Sequence, residues 1–251
     1  MRLGMDATRI SDGRQVVLKR LLTAEGPHEL EINKLFSAEP LASNPRNRCV
    51  HLLDVIELPD DPPILVHPLL RPYDDPQFQT YGEFITFFAQ ICEVSFPDLY
   101  YVMRFSQLIR ASNLCTRTTS LTGLSHFERF YASNIIISDC TTGNLMLDPS
   151  NMYPESFHPV EMSRSKDFRR KAKWYSRTRR PTKYFLIDFG LSRRHDPANG
   201  PPLYKPYKGG DKSAPEHQDA ERFCDPFPTD VYYLGNLVRE EYIQVRVVSL
   251  L

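Results

Sequence analysis

The spacing of apolar and polar positions divides the chain into short elements. Gly4 to Ile10 and Gln15 to Lys19 flank Ser11-Asp12-Gly13, and an Asp-Gly turn between alternating segments predicts a β-hairpin. Behind Pro27, the run Glu29 to Phe36 places apolar residues at 32, 35 and 36, the spacing of one face of a short helix. Val50 to Glu57 and Ile64 to His67 read as strands separated by the turn Pro59-Asp60-Asp61-Pro62-Pro63. Pro68 to Pro76 is rich in proline and aspartate and reads as a linker, followed by an apolar helix over Tyr81 to Glu93. Asn144 to Leu147 and Tyr184 to Ile187 are short apolar strands, each running into a carboxylate, Asp148 or Asp188, and Asp230 to Tyr242 is helical again. The order predicts an α+β fold, with a small β-rich lobe over 1–70 and a larger, mainly helical one over 71–251.

Composition narrows the class. The chain has 251 residues, 41% of them hydrophobic and 25% charged, which excludes a disordered or low-complexity protein and is ample for a buried core. Lys+Arg and Asp+Glu both number 31, and zero net charge argues against binding nucleic acid or acidic lipid over the whole surface. Five cysteines, at 49, 92, 115, 140 and 224, have no paired spacing, and the N-terminus lacks the order of a signal peptide. An intracellular setting is expected, cytoplasmic or nuclear. The most apolar region, Phe84 to Ile109, is broken by Glu93, Asp98 and Arg104, so no membrane span is expected.

Four separated motifs occur in one order. Asp139 precedes Asn144 by five residues just before a strand, and Asp188-Phe189-Gly190 closes the next strand. Ser213-Ala214-Pro215-Glu216 and Asp230-Val-Tyr-Tyr-Leu-Gly235 follow. With Val17-Leu18-Lys19 upstream, the set resembles the eukaryotic protein kinases, whose catalytic loop, metal-binding Asp-Phe-Gly, Ala-Pro-Glu and following helix these motifs match. The stretches Phe78-Gln-Thr-Tyr-Gly-Glu83, Ser163-Arg-Ser-Lys-Asp-Phe and Asp188-Phe-Gly-Leu-Ser-Arg-Arg194 resemble fungal kinase-like proteins of the basidiomycete type.

The resemblance implies a two-lobed kinase-like fold, both lobes truncated, and transfer of the γ-phosphate of ATP to a Ser or Thr hydroxyl of a protein substrate that the sequence does not name. On this reading Asp139 accepts the proton of the attacking hydroxyl. Asn144 and Asp188 are oxygen ligands for Mg2+, which neutralises triphosphate charge. Lys19 contacts the α and β phosphates and is held by Glu31, with Glu29 as the other candidate partner. Thr141 stands where Ser/Thr kinases keep a lysine, leaving Ser/Thr against Tyr acceptors open. Ser192, Tyr204, Tyr207 and Ser213 are candidate sites of loop phosphorylation. Taken singly, each motif has a plain structural alternative: Asp-Phe-Gly is often just a turn, and Lys19 a strand residue reaching water.

Two segments depart from the family pattern. Ile137-Ser138 replace the His-Arg that precedes the catalytic aspartate, and 94–138 resembles nothing in the family. Codons allowed at Val94-Ser95 and Arg110, and at Gly123 and Ser138, can form splice junctions. Their removal keeps the frame and restores an apolar helix ending in His-Arg, so this anomalous segment is expected to record two retained introns; Val245-Arg246 could form a third donor. No glycine-rich loop precedes the Lys19 strand, and the literal chain is expected to fold poorly or to be inactive. A catalytically inactive pseudokinase scaffold that binds partners through the basic residues of 163–183 is the competing reading.

The second departure is a basic insert over 163–183, with ten basic residues against one acid and Trp174 and Tyr175 interleaved. The neutral chain is thus a basic loop on an acidic body. Charge with interleaved aromatics suits RNA or an acidic protein partner, of which nucleic acid is the less expected; the plain alternative is a solvated loop or one folded over the protein's own acids.

Overall fold

The computed structural model describes residues 4–21, 26–95, 135–136, 140–206, 211–219 and 221–240. They form an α+β chain of two compact units, Met1–Ile91 with Thr142–Gly190, and Cys92–Thr141 with Leu191–Leu251. The expected boundary after residue 70 falls inside the first unit. Asp139, Ser138, Tyr207, Val245 and most of 94–138 lie outside the described residues.

The first unit opens with the hairpin β1 (Gly4–Thr8) and β2 (Gln15–Arg20), whose antiparallel register pairs Thr8 with Gln15 and Gly4 with Lys19. Gly13 takes φ +69° in the turn, where an L side chain would be strained. β3 (Asp54–Ile56) and β4 (Ile64–Pro68) complete a four-stranded antiparallel sheet in the order β1-β2-β4-β3. Only 54–56 of the expected 50–57 strand joins it. The chain just before is drawn elsewhere: Leu186 N donates to Arg48 O at 2.6 Å and Val50 N to Leu186 O at 2.9 Å.

Helix α1 (Glu29–Phe36) has the expected bounds, and its buried face is Glu29, Ile32, Asn33 and Phe36, one stripe at i, i+3, i+4 and i+7. Ile32 and Phe36 join Val16, Leu65 and Val66 among the buried apolar residues. Fully burying such side chains stabilises by about 1.5–3 kcal/mol each.

The expected linker after Pro68 contains a strand. β5 (Arg71–Pro72) pairs with β7 (Leu145–Leu147), and β7 with β8 (Tyr184–Leu186), as a second antiparallel sheet. Proline and aspartate masked this segment because its buried side chain is an arginine. The Arg71 guanidinium lies 4.4 Å from the Tyr153 ring centroid and 4.5 Å from that of Phe157, and donates to Met162 O at 2.8 Å and Asp75 Oδ2 at 2.6 Å. Cation–π stacking plus hydrogen bonds compensate the lost hydration of a charge that is only 2% exposed.

Helix α2 (Tyr81–Ser95) buries Phe87 and Ile91, and Phe87 stacks on Tyr73 at 4.8 Å. Its first turn is locked by Glu83, which accepts from Gln79 N at 2.8 Å and from Thr178 N and Oγ1 at 2.9 and 2.8 Å. Burial works to raise the Glu83 carboxyl, but these hydrogen bonds and nearby Arg177 outweigh it and leave the group below its ordinary value of 4.5.

In the second unit β6 (Ile135–Ile136) pairs with β9 (Arg193–Arg194), and α3 (Pro226–Leu237) buries Tyr233, Leu234 and Leu237. Cys49, Cys92, Cys140 and Cys224 are free thiols, and among the described residues no helix is long and apolar enough to cross a membrane.

Candidate functional site

Lys19 sits on β2, and its ammonium bridges two carboxylates: Nζ is 2.5 Å from Glu29 Oε1 and 2.7 Å from Asp188 Oδ1. Burial works to lower the Lys19 pKa, and the two carboxylates more than reverse it, so the group titrates above its ordinary 10.5 and is a fixed cation at neutral pH. Burial raises the Glu29 carboxyl against the pull of Lys19.

The partner of Lys19 is therefore Glu29, which corrects the expected pairing with Glu31. Glu29 shares the buried helix stripe with Ile32 and Phe36, whereas Glu31, two positions on, is rotated to the exposed side and stands 3.8 Å from His28 Nδ1. The apolar spacing at 32 and 36 already selects position 29 over 31. Reading the helix face, rather than its sequence position alone, would have found the pair.

The local backbone explains how Asp188 reaches Lys19. Strand β8 ends at Leu186, and Asp188 adopts φ +63°, a left-handed turn uncommon for a residue other than glycine. That turn sends Phe189 inward, where it is buried and 5.9 Å from Phe36 of α1, and leaves the Asp188 side chain half exposed. Gly190 N donates to Asp188 Oδ1 at 3.2 Å. Gly190 also packs on Gly26 at the entry to α1. A Cβ on Gly26 would lie 2.8 Å from Gly190 O, so this approach requires glycine.

Asn144 closes the 3₁₀ turn Thr142–Asn144 in front of β7, and its carbonyl accepts from Ile187 N at 3.0 Å. The ladder pairing Leu145 with Leu186 thus holds Asn144 beside the β8 end that carries Asp188. Asp148, the other carboxylate at a strand end, does a different job: its Oδ1 accepts from Ser150 N at 2.9 Å and shapes a turn.

Asp188 and Asn144 offer oxygen donors, the ligand type that Mg2+ takes. Among the described residues there is no cluster of three or more His, Cys, Asp or Glu, and Asp188 Oδ2 makes no hydrogen bond. A carboxylate and a carboxamide at adjacent strand ends suit a hard cation that takes few protein ligands and fills its shell with phosphate and water oxygens.

In the second unit, Asp230 of α3 is buried and its Oδ1 accepts from Cys140 N at 3.4 Å, tying the helix to the residue after Asp139. Ala214 is buried ahead of the 3₁₀ turn Pro215–Gln218. Of the candidate phosphorylation sites, Ser192 is buried, the Tyr204 hydroxyl meets His195 Nδ1 at 3.0 Å, and Ser213 is exposed.

The basic insert is ordered onto the first unit. Arg177 is buried, donates to Tyr73 O at 2.9 Å and lies 4.3 Å over Phe78. Arg179 and Arg180 stand 4.6 and 4.1 Å from the Tyr175 ring. Part of the insert's charge is thus spent within the fold.

No protein-family model matches the chain, and no curated protein matches it. Among solved structures, the chain is similar in fold to the yeast RNA Pol II CTD kinase CTDK-1 complex, with a TM-score of 0.44 and 10% identity. That alignment covers 80% of this chain and 46% of the other, so the chain spans about half the length of its structural neighbour.

Proposed function

We propose that the first unit is the nucleotide-binding half of a protein kinase-like phosphotransferase that moves the γ-phosphate of ATP to a protein hydroxyl, of Ser or Thr. The observation that carries this reading is Lys19 held between Glu29 and Asp188. An ammonium has three N–H donors; two are used here, and the third is available to a phosphate oxygen. Glu29 fixes the position of the ammonium from the buried side, so Lys19 arrives at the nucleotide already oriented. Asp188 and Asn144 are the residues that would hold Mg2+, whose chemistry is to neutralise triphosphate charge. Asp139 is the proposed acceptor of the substrate hydroxyl's proton.

A second reading, a non-catalytic scaffold that retains nucleotide binding, is favoured by Ile137-Ser138 standing before Asp139 in place of His-Arg. Transfer of labelled γ-phosphate from Mg2+-ATP to a Ser/Thr peptide library separates the two. An enzyme transfers label and loses transfer on Asp139→Asn; a scaffold binds nucleotide and transfers none.

A further inference from the structure

We propose that the hairpin 163–173 is a docking surface for an acidic segment of a partner protein. Its backbone is closed by Ser165 N to Arg170 O at 2.8 Å and Ala172 N to Ser163 O at 2.8 Å, which places Arg164 directly opposite Lys171. Ser165 Oγ donates to Asp167 Oδ1 at 2.6 Å and accepts from Arg170 N at 3.1 Å, pinning the turn. Phe168 sits in that turn at φ +64° with its ring edge-on to His158.

Like charges directly across two strands repel, and a fold that keeps such a pair without a local counter-charge breaks a local rule. Here the pair is Arg164 and Lys171. The nearby acids are committed elsewhere: Glu155 meets Arg170 at 2.6 Å and Lys173 at 3.6 Å, Glu161 Oε1 accepts from Ser163 Oγ at 2.6 Å, and Asp167 is tied into the turn and stands 3.9 Å from Arg169. Lys166 and Lys171 are exposed and make no ion pair among the described residues. An anion laid along the hairpin would relieve this repulsion. Because the backbone is already closed, little ordering entropy would oppose binding.

The geometry favours a peptide over nucleic acid. Arg164 and Lys171 stand opposite each other across the bridge, and exposed Lys166, Arg169 and Lys173 flank them, a compact group of cations for the carboxylates or phosphoserines of a short peptide. Single-stranded nucleic acid also needs free aromatic faces for stacking. Tyr175 is already faced by Arg179 and Arg180, and Phe168 by His158 and Arg164, which leaves exposed Trp174 as a single open ring among the described residues of the insert, too few for a stacked run of bases.

The test is fluorescence anisotropy on the full chain without nucleotide, so that failure here leaves the kinase-like reading untouched. Labelled probes are a Glu-rich dodecapeptide, its phosphoserine counterpart and a single-stranded RNA of equal charge. We expect either peptide to bind, binding to weaken as salt rises, and Lys166→Gln/Lys171→Gln to lose roughly tenfold in affinity. Neither lysine supports the fold through a described contact, and the exposed control pair Lys34→Gln/Arg222→Gln should bind as the parent does. The tighter peptide identifies carboxylate or phosphate as the anion. The proposal is overturned if neither peptide binds, if the control pair loses as much as the hairpin pair, or if RNA binds more tightly than both peptides.

Discussion

Glu29 Oε1 lies 2.5 Å from Lys19 Nζ on the buried side of α1, while Glu31 faces water on the other side of the same helix. Exchanging either carboxylate for its amide therefore has different consequences. Glu29→Gln removes the charge that positions Lys19 and is expected to lower kcat/KM for ATP-dependent transfer, or nucleotide affinity in a scaffold, by roughly 10- to 100-fold, equivalent to about 1.4–2.8 kcal/mol. Glu31→Gln is expected to stay within about twofold. Titration with a fluorescent ATP analogue checks both.

Gly26 supplies a second, purely steric handle on the same site. A methyl at this position meets the Gly190 backbone at 2.8 Å, and neither chain segment is a flexible side-chain end that can swing aside. Gly26→Ala is expected to destabilise by about 1–3 kcal/mol and to displace Asp188 from Lys19. Thermal unfolding measures the first effect and Mg2+-dependence of nucleotide binding the second. An alanine variant that melts with the parent would show that this approach tolerates a side chain.

Arg71 holds the 71–75 segment to residues 153–162 through the Tyr153 and Phe157 rings and the Met162 carbonyl, and closes on Asp75 within its own segment. Arg71→Ala is expected to cost about 3 kcal/mol, since it opens a cavity and leaves the Met162 carbonyl without its donor. Arg71→Lys should recover little, because an ammonium has neither the planar face nor the fork of donors. Denaturant midpoints for the three proteins decide this.

Acid stability carries the signature of Glu83. Its carboxyl is depressed in the folded state, so its contribution is present above the ordinary value of 4.5 and is lost as pH falls through the folded-state value. Glu83→Gln should unfold at a lower temperature than the parent at neutral pH, and the gap should close as the pH drops below 4.5. A gap independent of pH would mean that the carboxylate's charge contributes nothing there.

The sequence pattern carried the local elements well because their signals are local. The Asp-Gly hairpin, the bounds of α1 and the two apolar strands before Asp148 and Asp188 all depend on turn chemistry and periodicity within about ten residues. Strand β5 was hidden because its buried position is an arginine whose partners, Tyr153, Phe157 and Met162, lie far along the chain. The insert's role was equally non-local. Its basic count was plain in the sequence, but the burial of Arg177 depends on Tyr73 and Phe78 in a distant segment. Lys19 and Asp188, candidates from their motifs, meet at 2.7 Å in the structure, whereas Glu29 needed the helix face to be read against the core.

The measurement that bears most directly on the central claim is the Mg2+-dependence of ATP affinity in the full chain, by isothermal titration calorimetry. If Lys19, Glu29 and Asp188 form a magnesium–nucleotide site, ATP binds more tightly with Mg2+ than with EDTA, and Lys19→Met and Asp188→Asn each abolish the difference while Glu31→Gln keeps it. ATP affinity that is the same with and without Mg2+, or that survives both substitutions, would contradict the assignment.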